Sequence, residues 1–346
     1  LVQTTGCKLE QANCNLSIFE NDFMTAQLPR VFVSRQLPEI GLRRLHQSTD
    51  CKVWAGSLPP PRDELLASVK GCSGIVSLLS DMIDAEVLDA AGPGLKVVSN
   101  FAVGVNNIDL TEAARRGIAV GNTPDVLTDA TADIAVALLL AAARHVQPAA
   151  NSVRSGDWQT WEPTGWLGCD LLGKTLGIIG MGRIGSAVAR RLAGGWNMQV
   201  LYTSRTEKRL ENLPTAKRVS LEELLEKSDF VSLHTDLSAE TRGLINRQRL
   251  ALMKPTAVLV NTSRGGVIDQ EALVEALTAG RPMAAGLDVT DPEPLSPDHP
   301  LVGLSNCIIL PHIGSATIAS RNAMAEICVD NLLAGLRGNP LRCPVG

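Results

Sequence analysis

The sequence predicts an α/β fold, with parallel sheets flanked by helices and spread over about two domains. Three observations carry this. Short apolar runs alternate with helical patterns along almost the whole chain, as βαβ units require. Runs such as TLGIIG, AVLVN and CIILP are apolar without alternation, as expected of strands covered on both faces. The length, 346 residues, is about twice the ~150 that a domain usually takes.

In chain order, residues 30–34 (RVFVS) form the first strand and 38–46 a helix. Further strands are expected at 52–55, 74–79 and 96–100. Residues 84–91 read as a helix opened by an acid and stopped by Gly92-Pro93. A long helix is expected from 128 to 146, apolar almost all round and so buried at a domain junction. After a loop rich in Gly, Trp and Pro (156–173), a second series of strands runs 175–180, 199–203, 230–234, 257–261, 284–288 and 307–310. A last helix, 320–335, would cross back toward the first domain. Residues 1–23 hold one basic residue, three acids and no apolar core, unlike a secretory signal or a transit peptide. They are expected to belong to a disordered extension covering 1–27.

Composition excludes several function classes. Lys+Arg 32 against Asp+Glu 36 gives a net charge of −4, which offers no basic field for nucleic acid. Eleven aromatic residues leave little for bases to stack on. No stretch approaches the ~18 apolar residues of a membrane span. Eight cysteines lie scattered without CxxC or CxH spacing, so no metal site and no disulfide framework is expected, and a cytoplasmic protein with reduced thiols fits. The C-terminal Pro-Val-Gly is no peroxisomal address.

Gly180-Met181-Gly182-Arg183-Ile184-Gly185 is a G-x-G-x-x-G that follows a strand and opens a helix, the context a dinucleotide site needs. Gly180 makes the tight turn, Gly182 lets the backbone approach a pyrophosphate, and Gly185 allows close helix–strand packing. A rival, Gly168 to Thr175, satisfies the ATPase phosphate-loop pattern. It leads into a strand instead of a helix, so no helix N-terminus is there to hold phosphates. At the end of the next strand an NAD site places an acid. Here Ser204 and Arg205 stand instead, and both can donate to a 2′-phosphate. The expected cofactor is NADP(H), with NAD(H) as the alternative because Glu207 follows closely. The second half is therefore read as a Rossmann-like domain.

Ligands of open α/β sheets bind beyond the carboxyl ends of the strands. Polar residues there are His234-Thr235-Asp236, Thr262-Ser263-Arg264, Asp288 with Glu293, and His312. Reduction of a 2-keto acid needs a cation for the carboxylate and ketone, and an acid that protonates the developing alkoxide. Arg264, Glu293 and His312 supply these groups at three strand ends. Each has a plainer reading: a surface cation, a solvated acid between prolines, a satisfied buried histidine. His234 is a rival proton donor.

Six stretches, taken in order, resemble the D-isomer-specific 2-hydroxyacid dehydrogenases: 95–109 (LKVVSNFAVGVNNID), 116–133, 173–185, 258–273, 284–295 and 310–317 (LPHIGSAT). The similarity is greatest to the branch that reduces glyoxylate and hydroxypyruvate with NADPH. The resemblance implies two Rossmann-like doubly wound parallel-sheet domains with the active site in the cleft between them. It puts the substrate domain at 28–126 and 318–346 and the NAD(P) domain at 127–317. It implies Arg264 for the substrate carboxylate and carbonyl, Glu293 for orienting the histidine, and His312 for the proton. Val103 and Gly104 match a loop whose N–H groups bind the substrate carboxylate. Thr262, Asp288 and Gly314 match positions around the nicotinamide, and Gly182, Arg183 and Ile184 the pyrophosphate contact. Departures are Asp236, where a neutral residue is usual, and Val-Asn-Asn after Gly104.

Trp158, Trp161 and Trp166 place three of the five tryptophans in nine residues, more apolar surface than an exposed loop of a monomer carries. A homodimer is expected, with Trp161 reaching the partner's substrate pocket; packing within the chain is the alternative. Two other functions stay open: a 3-phosphoglycerate dehydrogenase-like enzyme, and a nucleotide-sensing corepressor or binding module.

Overall fold

The protein, described by a computed structural model, is defined over residues 27–210, 213 and 215–345. Residues 1–26 of the expected extension lie outside the described residues. Two parallel sheets make up the chain. The first holds β1 (Arg30–Val33), β2 (Asp50–Val53), β3 (Gly74–Ser77), β4 (Val97–Asn100) and β5 (Ala119–Gly121) in the order β2-β1-β3-β4-β5. The second holds β6 (Thr175–Ile179), β7 (Gln199–Thr203), β8 (Lys217–Arg218), β9 (Phe230–Leu233), β10 (Val258–Asn261), β11 (Ala284–Leu287) and β12 (Cys307–Ile309). Its order is β12-β11-β10-β9-β6-β7-β8. Every pairing is parallel, and each order reverses once, so both sheets are doubly wound with a switch point.

Strands β3, β4, β9, β10 and β11 are buried along their whole length. Helices cover both faces, which is why their sequences show apolar runs without alternation. β5 and β8 escaped the sequence reading because three and two residues are too few to show a period. The helix Ile318–Leu336 returns to the first sheet and packs on β3, β4 and the helix Glu39–Ser48. Close approach needs glycine there: a Cβ on Gly335 would lie 2.6 Å from that of Val97.

The helix expected over 128–146 is shorter. It spans Thr128–Ala143 and packs on β10, β11 and the helix Arg183–Trp196. His145 then takes a left-handed φ of 53° and starts a separate helix, Val146–Ser155, which buries no side chain. The apolar pattern serves the second sheet only as far as Ala143; the chain must turn to leave it. Lys174-Thr175 leads into β6, which leaves the phosphate-loop pattern without its helix. Among the described residues, no helix is long and apolar enough to cross a membrane.

Candidate active site

β6 ends in the glycine-rich turn, and each glycine has its own geometry. Gly180 takes φ +98°, and a Cβ on it would lie 2.6 Å from the His234 carbonyl oxygen. A Cβ on Gly185 would sit 2.2 Å from the carbonyl oxygen of Gly180, so the third glycine lets helix and turn close together. Gly182 has nothing within 4 Å of its Cβ direction. It opens the helix Arg183–Trp196 with no side-chain cap, so free N–H groups face an accessible backbone. Gly182 and Arg183 border an opening that they share with Thr128 and Lys208. Arg183 pairs with Asp125 at 2.5 Å.

Beyond the strand ends lies a cavity of about 380 Å³. From the first sheet, Val103 and Gly104 on the loop after β4 line it. From the second come Ile184, Thr262, Arg264, Asp288, His312 and Gly314. A smaller adjoining cavity of about 230 Å³ shares Gly104, Arg264 and His312 and adds Glu293. Arg264 presses so closely on Gly104 that a Cβ there would lie 1.8 Å from Nη2. Asn261, the last residue of β10, anchors its loop: the amide nitrogen donates to the Arg264 carbonyl at 2.9 Å, and the amide oxygen accepts from Ser263. Gly265 admits the neighbouring strand-end loop, since a Cβ would lie 2.0 Å from the Thr290 carbonyl carbon.

His312 follows β12 and is held in the left-handed region, φ 56°. Its Nδ1 lies 2.8 Å from Glu293 Oε2, and the other Glu293 oxygen accepts from the Thr290 N–H at 3.1 Å. Asp288 spends both oxygens on the loop behind His312, accepting from the Ile313 and Gly314 N–H groups at 2.7 Å each.

A family model of the D-isomer specific 2-hydroxyacid dehydrogenase NAD binding domain matches residues 136–314. The chain is 47% identical over 318 residues to the human glyoxylate reductase/hydroxypyruvate reductase, covering 91% of this chain and 97% of that one. The chain belongs to the D-isomer-specific 2-hydroxyacid dehydrogenases. A glyoxylate reductase of Korarchaeum cryptofilum is 50% identical over 312 residues, 90% of this chain and 93% of its own. Among solved structures, the NADPH-dependent glyoxylate/hydroxypyruvate reductase of Sinorhizobium meliloti in complex with NADP and malonate superposes with a TM-score of 0.78. It is 34% identical and covers 92% of this chain and 97% of that one.

As a family member the chain is an oxidoreductase with a nicotinamide dinucleotide as cofactor. The residues present fit one. The open Gly182 backbone suits a pyrophosphate, and the Thr235 hydroxyl, on the cavity wall, is buried without a partner. Burial draws the Arg264 guanidinium below its ordinary value, with the Glu293 carboxylate opposing. Burial also raises Asp288, against the pull of its two N–H donors. Half-buried Ser204 and exposed Arg205 stand at the end of β7, outside both cavities; Arg218 on β8 donates to both of their carbonyl oxygens, at 2.9 and 3.2 Å. Asp236 faces Arg205 at 4.0 Å. Trp161 lines neither cavity of its own chain and is 79% exposed.

Arg321, a charged residue of the cavity wall, was missed. Arg321 sits in the first turn of the C-terminal helix, over the Phe101 ring at 5.9 Å, and burial lowers its pKa while Asp288 opposes. No strand end marks it in the sequence. Thr235, one of the polar residues expected past the strand ends, lines the cavity.

Proposed function

We propose that this chain reduces glyoxylate to glycolate and hydroxypyruvate to D-glycerate, using NADPH. The observation that carries this reading is the meeting of Arg264, the Gly104 loop and the His312–Glu293 pair around one cavity. When bound, the reduced nicotinamide supplies a hydride to the carbonyl carbon. The Arg264 fork holds the substrate carboxylate and the ketone oxygen. His312 gives its Nε2 proton to that oxygen as it takes on charge. Glu293, on Nδ1, orients the ring. Thr262, Asp288 and Gly314 border the nicotinamide end, and Gly180 to Gly185 take the pyrophosphate.

The names of the human and Sinorhizobium relatives support hydroxypyruvate as the second substrate. Ser204 and Arg205, with no acid at the end of β7, support NADP(H) over NAD(H). The packing of the C-terminal helix on the first sheet supports a substrate domain of 28–126 and 318–346 around an NAD(P) domain of 127–317. The specificity constants of glyoxylate, hydroxypyruvate, pyruvate and phosphohydroxypyruvate, each with both nucleotides, test the reading. The first two with NADPH should lead by about tenfold or more, the worth of one charged hydrogen bond. Equal use of NADH would remove the cofactor assignment, and a lead for phosphohydroxypyruvate would replace the substrate.

Exposed Trp158, Trp161, Trp166, Leu167 and Leu172 form an apolar surface that supports a homodimer, Trp161 reaching toward the partner's cavity. Light scattering at micromolar concentration should return twice the chain mass; the mass of one chain would refute the dimer. Six free thiols among the described residues support a cytoplasmic setting.

A further inference from the structure

The loop after β4 has its carbonyl side committed and its N–H side free. The Ala102 carbonyl accepts from the Thr123 N–H at 2.9 Å. The Val103 carbonyl accepts from Asn122 Nδ2 at 2.7 Å, and that of Gly104 from Asn100 Nδ2 at 2.9 Å. Among the described residues, the N–H groups of Val103, Gly104 and Val105 donate to nothing, although all three residues border the cavity that holds Arg264. Unpaired N–H groups beside a guanidinium are costly unless an acceptor completes them.

In a trans peptide unit the carbonyl and the following N–H point in opposite directions. A donor on the Ala102 carbonyl therefore aims the Val103 N–H, one on Val103 aims Gly104, and one on Gly104 aims Val105. The last two donors are side chains, and each is itself fixed. The Asn100 oxygen accepts from Ser77 at 2.9 Å and Asn107 at 3.3 Å, and its amide nitrogen donates to Asn107 Oδ1 at 3.1 Å as well as to Gly104. Asn122 is held through its backbone: its carbonyl accepts from the buried Asn331 of the C-terminal helix at 2.9 Å, and its N–H donates to Cys343 at 3.2 Å.

We propose that Asn100 and Asn122 are positioning residues that turn the 103–105 peptide units into a cradle of N–H donors for the substrate carboxylate. The inference rests on the reductase reading above. Asn331 and the docked C-terminal segment then act on the same carboxylate through Asn122.

The half-buried Asn122 allows a clean test. Asn122→Asp keeps the shape and sets an acceptor against the Val103 carbonyl. KM for glyoxylate and Kd for oxalate should rise about tenfold, with a smaller change in kcat. NADPH affinity and Tm should stay at wild-type values, and Asn122→Gln, which restores a donor, should recover part of the loss. A folded Asn122→Asp enzyme with unchanged KM and oxalate affinity would overturn the proposal. So would parallel losses of NADPH affinity and Tm, the mark of a merely structural role. Wild-type protein that binds NADPH but turns over no 2-keto acid would overturn the reductase reading, and this inference with it.

Discussion

His234 and His312 follow strands of the same sheet and border the same cavity, yet their surroundings differ. His234 follows β9; its Nε2 lies 2.9 Å from the Ser232 hydroxyl and its Nδ1 3.5 Å from that of Thr262. Among the described residues it meets no carboxylate, and burial pushes its pKa down to about 3, so it stays neutral. His312 has Glu293 at 2.8 Å and borders the smaller cavity beside Arg264. The difference teaches that partner and burial, and not place in the sheet, set the two histidines apart, since both have the same kind of position.

Three variants break or sharpen this contrast. His312→Ala should lower kcat by ~10²–10⁴, the usual worth of a general acid, with NADPH affinity kept. Retention of most of the activity would return His234 to contention. Glu293→Gln keeps the shape but removes the charge and leaves one acceptor oxygen where the ring and the Thr290 N–H now use two, so kcat should fall about tenfold to a hundredfold. A wild-type rate would show that the carboxylate only holds the loop.

His234→Gln should leave kcat nearly unchanged and alter acid stability instead. The folded pKa of His234 lies below its ordinary ~6.5. The stability it contributes is therefore complete above that pH and lost as the pH falls toward about 3. Between these limits, urea unfolding of the wild type should lose stability faster than the variant by about 1.4 kcal/mol per pH unit. Equal slopes would mean that His234 is charged in the fold.

Much of the site is legible before any coordinates. Arg264, Glu293 and His312 stand just past runs that read as strands, and the glycine turn declares itself by its strand and helix neighbours. Other features resist such reading for definite reasons. Arg321 enters the cavity from a helix, where nothing local marks an inward-facing cation. Asn122 and Asn331 are 209 positions apart, so their bond has no sequence signature. Asp288 reads as a nicotinamide neighbour, and its two bonds to the His312 loop depend on how β11 and β12 lie together. The turn at His145 is hidden because the apolar run ends without Gly or Pro to announce it.

By itself the sequence determined where the principal strands end and which polar residues follow them, because period and turn chemistry act over a few neighbouring residues. Only the tertiary structure decided which histidine has a carboxylate, which carbonyls are held and which N–H groups are left free. Burial and pairing are set by groups far apart in the chain, and no local pattern encodes a distance between two sheets.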